Sequence, residues 1–91
     1  MNKQDLVRIA AHEAELSQRD AAVLLDSALE AIMNAVAAGE KVQLMGFGSF
    51  EAKERAARVG RNPHTGETVE IPATTTPFFT PGTIFKEKVE R

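Results

Sequence analysis

Residues 51–72 read EAKERAARVGRNPHTGETVEIP, and the reading of this stretch decides the fold. Two extended-compatible runs flank a dense turn signal, Asn62-Pro63-His64-Thr65-Gly66. The first run, Glu51 to Arg61, has no face apolar enough to pack on a core. The second, Glu67-Thr68-Val69-Glu70-Ile71-Pro72, is β-prone and of mixed polarity. Together they predict a two-stranded ribbon within residues 51–73. An isolated hairpin is only marginally stable in water, so this one is expected to be mobile until it grips a partner.

The chain on either side of the ribbon has globular character. Before it, Val42 and Leu44 alternate with Lys41, Gln43 and Met45 as a short half-buried strand, followed by the turn Gly46-Phe47-Gly48. Those glycines allow positive φ or a close approach of backbone to something else. Further upstream the period changes to that of a helix. Leu6, Ile9, Ala10 and Ala14 share one face, and Leu25, Ala28, Leu29, Ile32 and Val36 share another. Asn2 is a cap, and Ser17-Gln18-Arg19-Asp20 places a hydroxyl three residues before a carboxylate. Leu16 precedes that cap and is placed to staple onto the next turn, and Gly39 supplies the left-handed stop. Helices near 3–14 and 18–38 are predicted, forming an antiparallel hairpin. After the ribbon, Pro77-Phe78-Phe79 re-enters the core. Thr80-Pro81 reads as a cap with proline at the first helical position, opening a short helix that carries Ile84, Phe85 and Val89 on one side.

The expected class is therefore α+β, in one domain over 1–91: a helical hairpin (3–38), a sheet with its β-arm (41–76) and a C-terminal helix (82–90). Without the ribbon about 70 residues remain, and a core of that size supplies only a few kcal/mol unless disulfides, a metal or oligomerisation help. The 91-residue chain has no cysteine, which excludes disulfides, zinc–thiolate sites and thiol nucleophiles. Oligomerisation is the remaining remedy, most simply a two-fold dimer. Phe47, Phe50, Phe78, Phe79 and Phe85 also exceed what two short helices easily cover.

Catalysis is rejected at this stage. The two histidines, His12 and His64, lie in segments with no evident common site. His12 with Glu13 and Glu15 lacks the converging geometry a metal needs, so that group reads as a solvated helix end. Gly46-Phe47-Gly48 lacks the third glycine and following helix of a dinucleotide fingerprint. No cofactor and no metal are expected. The longest strictly apolar run, Ala21 to Leu25, is far below the roughly 20 residues of a membrane span. No signal peptide follows Met1-Asn2-Lys3-Gln4-Asp5, so a reducing, aqueous compartment and no membrane partner are expected.

Net charge is −2, and it is unevenly spread. Residues 1–40 carry three basic and seven acidic side chains, whereas residues 53–61 hold Lys53, Arg55, Arg58 and Arg61 against Glu54 alone. Salt screens distant acids within about 8–10 Å, so the local basic stripe matters more than the total. Alternate residues of an extended chain stand roughly 6.5–7 Å apart, about the pitch of adjacent phosphates on one DNA strand. Lys53 and Arg55 thus project from one face at phosphate spacing, and Arg58 and Arg61 continue the charge toward the tip. At the apex Pro63 is rigid, apolar and without an N–H. It serves either as a wedge between base pairs or simply to shape the turn.

Val42-x-Leu44-x-Gly46-Phe47-Gly48-Ser49-Phe50, followed by Arg58-x-Gly60-Arg61-Asn62-Pro63-x-Thr65-Gly66, resembles the HU/integration host factor family of bacterial DNA-bending proteins. The resemblance runs from Met1-Asn2-Lys3 to Lys86-Glu87-Lys88-Val89. It implies an intertwined α+β dimer with a helical base, a three-stranded antiparallel saddle and two arms that embrace double-stranded DNA. It also implies a cytoplasmic, nucleoid-associated protein. Carried over, Lys53, Arg55, Arg58 and Arg61 become arm contacts, with Asn62 and Pro63 at the tip and Pro63 as intercalator. Gly46 and Gly48 bring backbone amides near phosphates, and Lys86 is a nearby cation. His64 is either a phosphate contact or merely exposed. Leu29, Ile32, Leu44, Phe47, Phe50, Phe79 and Phe85 become the dimer core.

One departure bears on affinity. Relatives usually carry basic residues at the positions of Thr76, Thr80 and Thr83, leaving Lys86 and Lys88 here, opposed by Glu87. Weaker binding dominated by the arms is expected, with a salt slope lowered by about 0.9 for each missing phosphate contact. Three readings follow: a homodimer that bends DNA with little sequence preference, a subunit that needs a more basic partner (a heterodimer) or serves protein contacts, and a site-specific integration-host-factor-like member.

Overall fold

Helix starts in this chain are written in its first turns. In the computed structural model, which describes residues 1–90, α1 spans Lys3–Ala14 and α2 spans Gln18–Ala37. The Asn2 side-chain oxygen accepts the Asp5 N–H at 3.0 Å, and the Asp5 carboxylate accepts the Asn2 N–H at 3.0 Å, completing a capping box. Asp5 also receives Arg8, one turn on. Ser17 Oγ accepts the Asp20 N–H at 3.0 Å and opens α2. The end of α1 rests on a residue that periodicity does not reveal: Glu15 takes the left-handed conformation (φ 55°, ψ 44°) and donates its N–H back to the last turn. Replacing Asn2 with alanine is expected to cost about 1 kcal/mol of stability, read as a lower thermal midpoint, because the Asp5 N–H loses its side-chain acceptor.

The chain divides into two compact units, residues 1–34 and the remainder from residue 35 onward. In the first, Val7, Ala11 and Ala21 form the buried centre, with Ala22 and Leu25 packed against it. Lys3 reaches from α1 to Asp26 of α2 at 2.6 Å, an exposed pair of small energetic weight.

The second unit begins with the end of α2, where Gly39 (φ +91°) donates to the Val36 carbonyl and Glu40 to that of Ala35. Five strands follow: β1 (Val42–Leu44), β2 (Gly48–Arg55), β3 (Arg58–Arg61), β4 (Thr68–Ile71) and β5 (Thr74–Pro81), and then α3 (Thr83–Val89). They form a three-stranded antiparallel sheet in the order β1-β2-β5 and a separate two-stranded ribbon, β3-β4. The class is α+β, as read from the sequence. The predicted ribbon is divided. Pairing of β2 with β5 ends at Arg55↔Thr74 and resumes at Arg58↔Ile71, with Ala56-Ala57 and Pro72-Ala73 unpaired between. Pro72 has no N–H to give a ladder, which accounts for a break on that strand.

Register assigns the faces. Val42, Leu44, Phe50, Ala52, Pro77 and Phe79 lie on one side of the sheet, while Gln43, Ser49, Glu51, Lys53 and Arg55 lie on the other with Thr74, Thr76, Phe78 and Thr80. The first side is apolar up to the Glu54↔Thr75 pair at its arm end. Phe79 stands across from Phe50 with ring centroids 4.8 Å apart, and Phe47 lies 5.5 Å from Phe79 and 5.4 Å from Phe85. Even so, no large side chain is fully buried among the described residues, and Phe47 keeps 46% of its surface exposed.

The C-terminal helix starts later than the Thr80-Pro81 pattern suggests. Both residues still belong to β5, opposite Ser49 and Gly48. Sheet pairing therefore overrides the local proline signal, and β5 extends to Pro81, past the expected end of the sheet region at 76. Because β5 is an edge strand, Pro77 inside it and Pro81 at its end are tolerated. Gly82 is the cap residue and makes no side-chain bond. Backbone takes over that role: Gly82 N–H donates to the Phe47 carbonyl at 2.8 Å, and Phe85 N–H to the Gly46 carbonyl at 3.1 Å.

Candidate nucleic-acid interface

Lys53 and Arg55 are two residues apart on β2 and therefore share a face, the polar one. Their cross-strand partners there are Thr76 and Thr74, so two hydroxyls flank the two cations. Glu51 is the acid on that face of β2, whereas Glu54 projects from the opposite side. Among the described residues no salt bridge engages Lys53, Arg55, Arg58 or Arg61. Four unneutralised cations are thus available to an external anion.

On the ribbon the parity changes. Arg58 and Arg61 are three residues apart, and the register Arg58↔Ile71, Val59↔Glu70, Gly60↔Val69, Arg61↔Thr68 sends them to opposite faces. Arg58 shares its face with Gly60, Val69 and Ile71, while Arg61 shares the other with Val59, Thr68 and Glu70. A ribbon carrying a guanidinium on each face can reach both walls of a narrow groove. Counting charge along residues 53–61 alone misses Glu67 and Glu70 on the returning side of the hairpin. Residues 51–73 as a whole hold four basic and four acidic side chains. Strand pairing places Glu70 on the Arg61 face, whereas Glu67 precedes β4 beside the tip.

The tip is closed by its own polar groups. Asn62 N–H donates to the Glu67 carbonyl at 2.8 Å, and Gly66 N–H to the Asn62 carbonyl at 2.8 Å. The Asn62 side-chain oxygen accepts the His64 N–H at 2.9 Å, an Asx turn that clamps Pro63 between them. Pro63 and His64 are exposed. The tip is thus ordered from within, and its proline ring is left facing outward.

The remaining predicted site residues lie elsewhere. Gly46 and Gly48 sit at the far end of β2, roughly 23 Å along the strand from Arg55 at the usual rise per residue. Their surroundings give them a packing role: a Cβ on Gly48 would lie 2.5 Å from Phe79 Cε1 and 2.6 Å from the Thr80 carbonyl oxygen. A Cβ on Gly82 would lie 3.0 Å from the Gly46 carbonyl. The close approach that the glycines permit is to this chain itself. Lys86, on α3, faces Glu90 at 3.9 Å, an exposed contact that leaves its charge largely intact. Of the residues expected in a dimer core, Leu29, Leu44 and Phe47 are exposed, while Ile32, Phe50, Phe79 and Phe85 are half-buried. One residue escaped the sequence reading: Phe78, counted there as core, lies on the polar face with its ring under the Lys53 ammonium at 3.8 Å. Its odd position relative to Phe79 was the available signal.

No helix among the described residues is long and apolar enough to cross a membrane. Residues 1–90 match the family described as Bacterial DNA-binding protein. The chain is 55% identical over 89 residues to DNA-binding protein HU-1 of Halalkalibacterium halodurans, covering 98% of this chain and 99% of that one. It is 49% identical over 90 residues to DNA-binding protein HU of Staphylococcus aureus, covering 99% and 100%. Among solved structures, Anabaena HU in a cocrystal with DNA superposes with a TM-score of 0.89 at 52% identity, covering 99% of this chain and 98% of the other. HU from Thermotoga maritima superposes with a TM-score of 0.70 at 37% identity, covering 99% and 100%. With a paired cationic ribbon, a clamped proline tip and relatives matched end to end, the chain belongs to the HU family of bacterial DNA-binding proteins, which are architectural and not enzymes.

Proposed function

We propose that this chain acts as a homodimer that binds duplex DNA largely without sequence preference, laying its β3-β4 arms in the minor groove and bending the duplex by inserting Pro63. One observation carries the reading: the ribbon presents Arg58 and Arg61 without an ion pair among the described residues and ends in an exposed proline held by an Asx turn. Guanidinium groups on both faces suit phosphates and minor-groove acceptors, contacts that carry little base information. An apolar wedge of this kind unstacks a base step at a cost of a few kcal/mol and leaves a kink. Lys53, Arg55, Asn62 and His64 extend the contact, with Lys86 and the amides near Gly46 and Gly48 as outlying contributors. A DNA-bound life places the protein in the cytoplasm, on the nucleoid.

Surface area supports the dimer. A folded monomer of this mass exposes roughly 5,200 Å², whereas this chain exposes 7850 Å². The excess is about 2,600 Å² on each chain, and even after the projecting ribbon takes its share it leaves apolar surface for a partner to cover. Leu29, Ile32, Leu44, Phe47, Phe50, Phe79 and Phe85 are the residues whose burial a partner completes.

Replacing Pro63 with alanine separates bending from binding. The mean bend of an intact duplex, measured by fluorescence transfer between its ends, is expected to fall sharply. Affinity should change by less than about ten-fold, since the lost wedge contact and the avoided unstacking offset each other. An unchanged bend would remove Pro63 from the mechanism.

A second reading has its own observation. Thr76 and Thr80 lie on the same face as Lys53 and Arg55, so that face carries hydroxyls where the family resemblance leads one to expect basic residues, and the chain's net charge is −2. A subunit that relies on a more basic partner would look like this. Light scattering of the pure chain, followed by titration of duplex at about 50 mM salt, where counterion release still favours association, distinguishes them. Failure to bind there favours the second reading. A large preference for one duplex over unrelated ones would instead mark a site-specific member.

A further inference from the structure

We propose that Phe78 is a positioning residue for DNA binding, holding the Lys53 ammonium in place on the polar face of the sheet at the root of the arm. The inference rests on the reading that Lys53 contacts DNA. Lys53 Nζ stands 3.8 Å from the Phe78 ring centroid, well within the range of a cation–π contact. Register explains how they meet. Phe78 lies directly across from Glu51, and Lys53 is the next residue of β2 on that face, a diagonal neighbour within reach of a long side chain. Glu51 is closer in register to the ring than to any cation, and Lys53 forms no ion pair with it among the described residues. The ammonium therefore rests on the aromatic face and not on the carboxylate.

The choice of partner matters for an anionic ligand. A carboxylate would orient the lysine but neutralise it. A ring orients it through its quadrupole and leaves the full charge, with N–H donors free on the outward side. A lysine side chain otherwise loses rotamer entropy on being immobilised, and the ring removes part of that cost before DNA arrives. Phe78 is 43% exposed, so the ring and the ammonium above it lie at the surface of the sheet's polar face.

The test is a double-mutant cycle on nicked duplex DNA, using F78L, K53Q, the double variant and F78W, with affinity measured across a salt series. F78L should weaken binding by about two- to five-fold per arm while leaving the salt slope unchanged, because order is lost and charge is kept. K53Q should lower the slope by about 0.9 per arm. In the K53Q background F78L should have no further effect, and F78W should bind at least as tightly as the native chain. Ring-current shifts of the Lys53 side-chain protons, present in the native chain and absent in F78L, check the free-state contact independently of DNA. Equal weakening by F78L with and without Lys53 would overturn the proposal, since the ring would then be touching DNA itself. So would native-like affinity of F78L once the ring-current shift is gone. A K53Q slope equal to that of the native chain would instead remove the Lys53 contact on which the inference stands, a result distinct from the other two.

Discussion

Replacing Arg58 and Arg61 together with alanine is expected to lower the affinity for duplex DNA by about three orders of magnitude at about 0.1 M salt. In a homodimer the double variant deletes four guanidinium groups. Each phosphate contact contributes about 0.9 to the slope of log affinity against log salt, so that slope should fall by about 3.6. The two arginines project from opposite faces of the ribbon, so neither duplicates the other. Single variants should each account for about half of the slope change. No internal ion pair involves either group among the described residues, so the fold should be indifferent, with an unchanged thermal midpoint. A salt series on the pure variant reads all of this. A double variant that kept the native slope would place the polynucleotide away from the arms and end the proposed mechanism.

The second large effect concerns stability and lies at the start of β2. Gly48→Ala is expected to destabilise the chain by about 3 kcal/mol or more, beyond ordinary overpacking. The added methyl would meet two obstacles at once, the Phe79 ring at 2.5 Å and the Thr80 carbonyl oxygen at 2.6 Å. The second is backbone of the paired strand. It yields only if the β2-β5 ladder opens beside the Phe47, Phe50 and Phe79 cluster. Trimming the ring in a Gly48→Ala/Phe79→Leu variant should therefore give no rescue. Gly46→Ala makes the contrast. Its obstacle is the terminal Cδ1 of Ile84 at 3.0 Å, the movable end of a side chain. There the cost should be about 1–2 kcal/mol, the penalty of a left-handed backbone for a residue with a Cβ. Chemical denaturation of the three variants checks the order. Equal losses at positions 46 and 48 would refute the steric account.

These two effects lie on different strands, Gly48 at the start of β2 and the arginines on β3 beyond its end, and they divide the labour of the second unit. Near Gly48 the chain packs on itself through backbone approaches that only glycine permits. Near Arg55 it stops pairing, resumes as a separate ribbon and presents charge. Ala56-Ala57 and Pro72-Ala73 carry the change, because neither pair supplies a ladder.

Local sequence determined the parts of this protein that depend on near neighbours. Asn2 with Asp5, Ser17 with Asp20, and Gly39 delimit the helices through bonds closed within four or five residues. Asn62-Pro63-His64-Thr65-Gly66 specifies the tip for the same reason, and the basic stripe from Lys53 to Arg61 is visible by inspection. What only the tertiary structure decided is pairing register, which joins residues far apart in the chain and which period alone does not reveal. Register put Arg58 and Arg61 on opposite faces, set Glu70 beside one of them and spared the other, and kept Thr80-Pro81 in a strand against a local signal for helix. It also turned Phe78 away from the other four phenylalanines to lie beneath Lys53. The physical reason is the two-residue period of a strand: shifting a partner by one position reverses every side chain, and that shift is governed by packing and long-range hydrogen bonds, not by the residue next door.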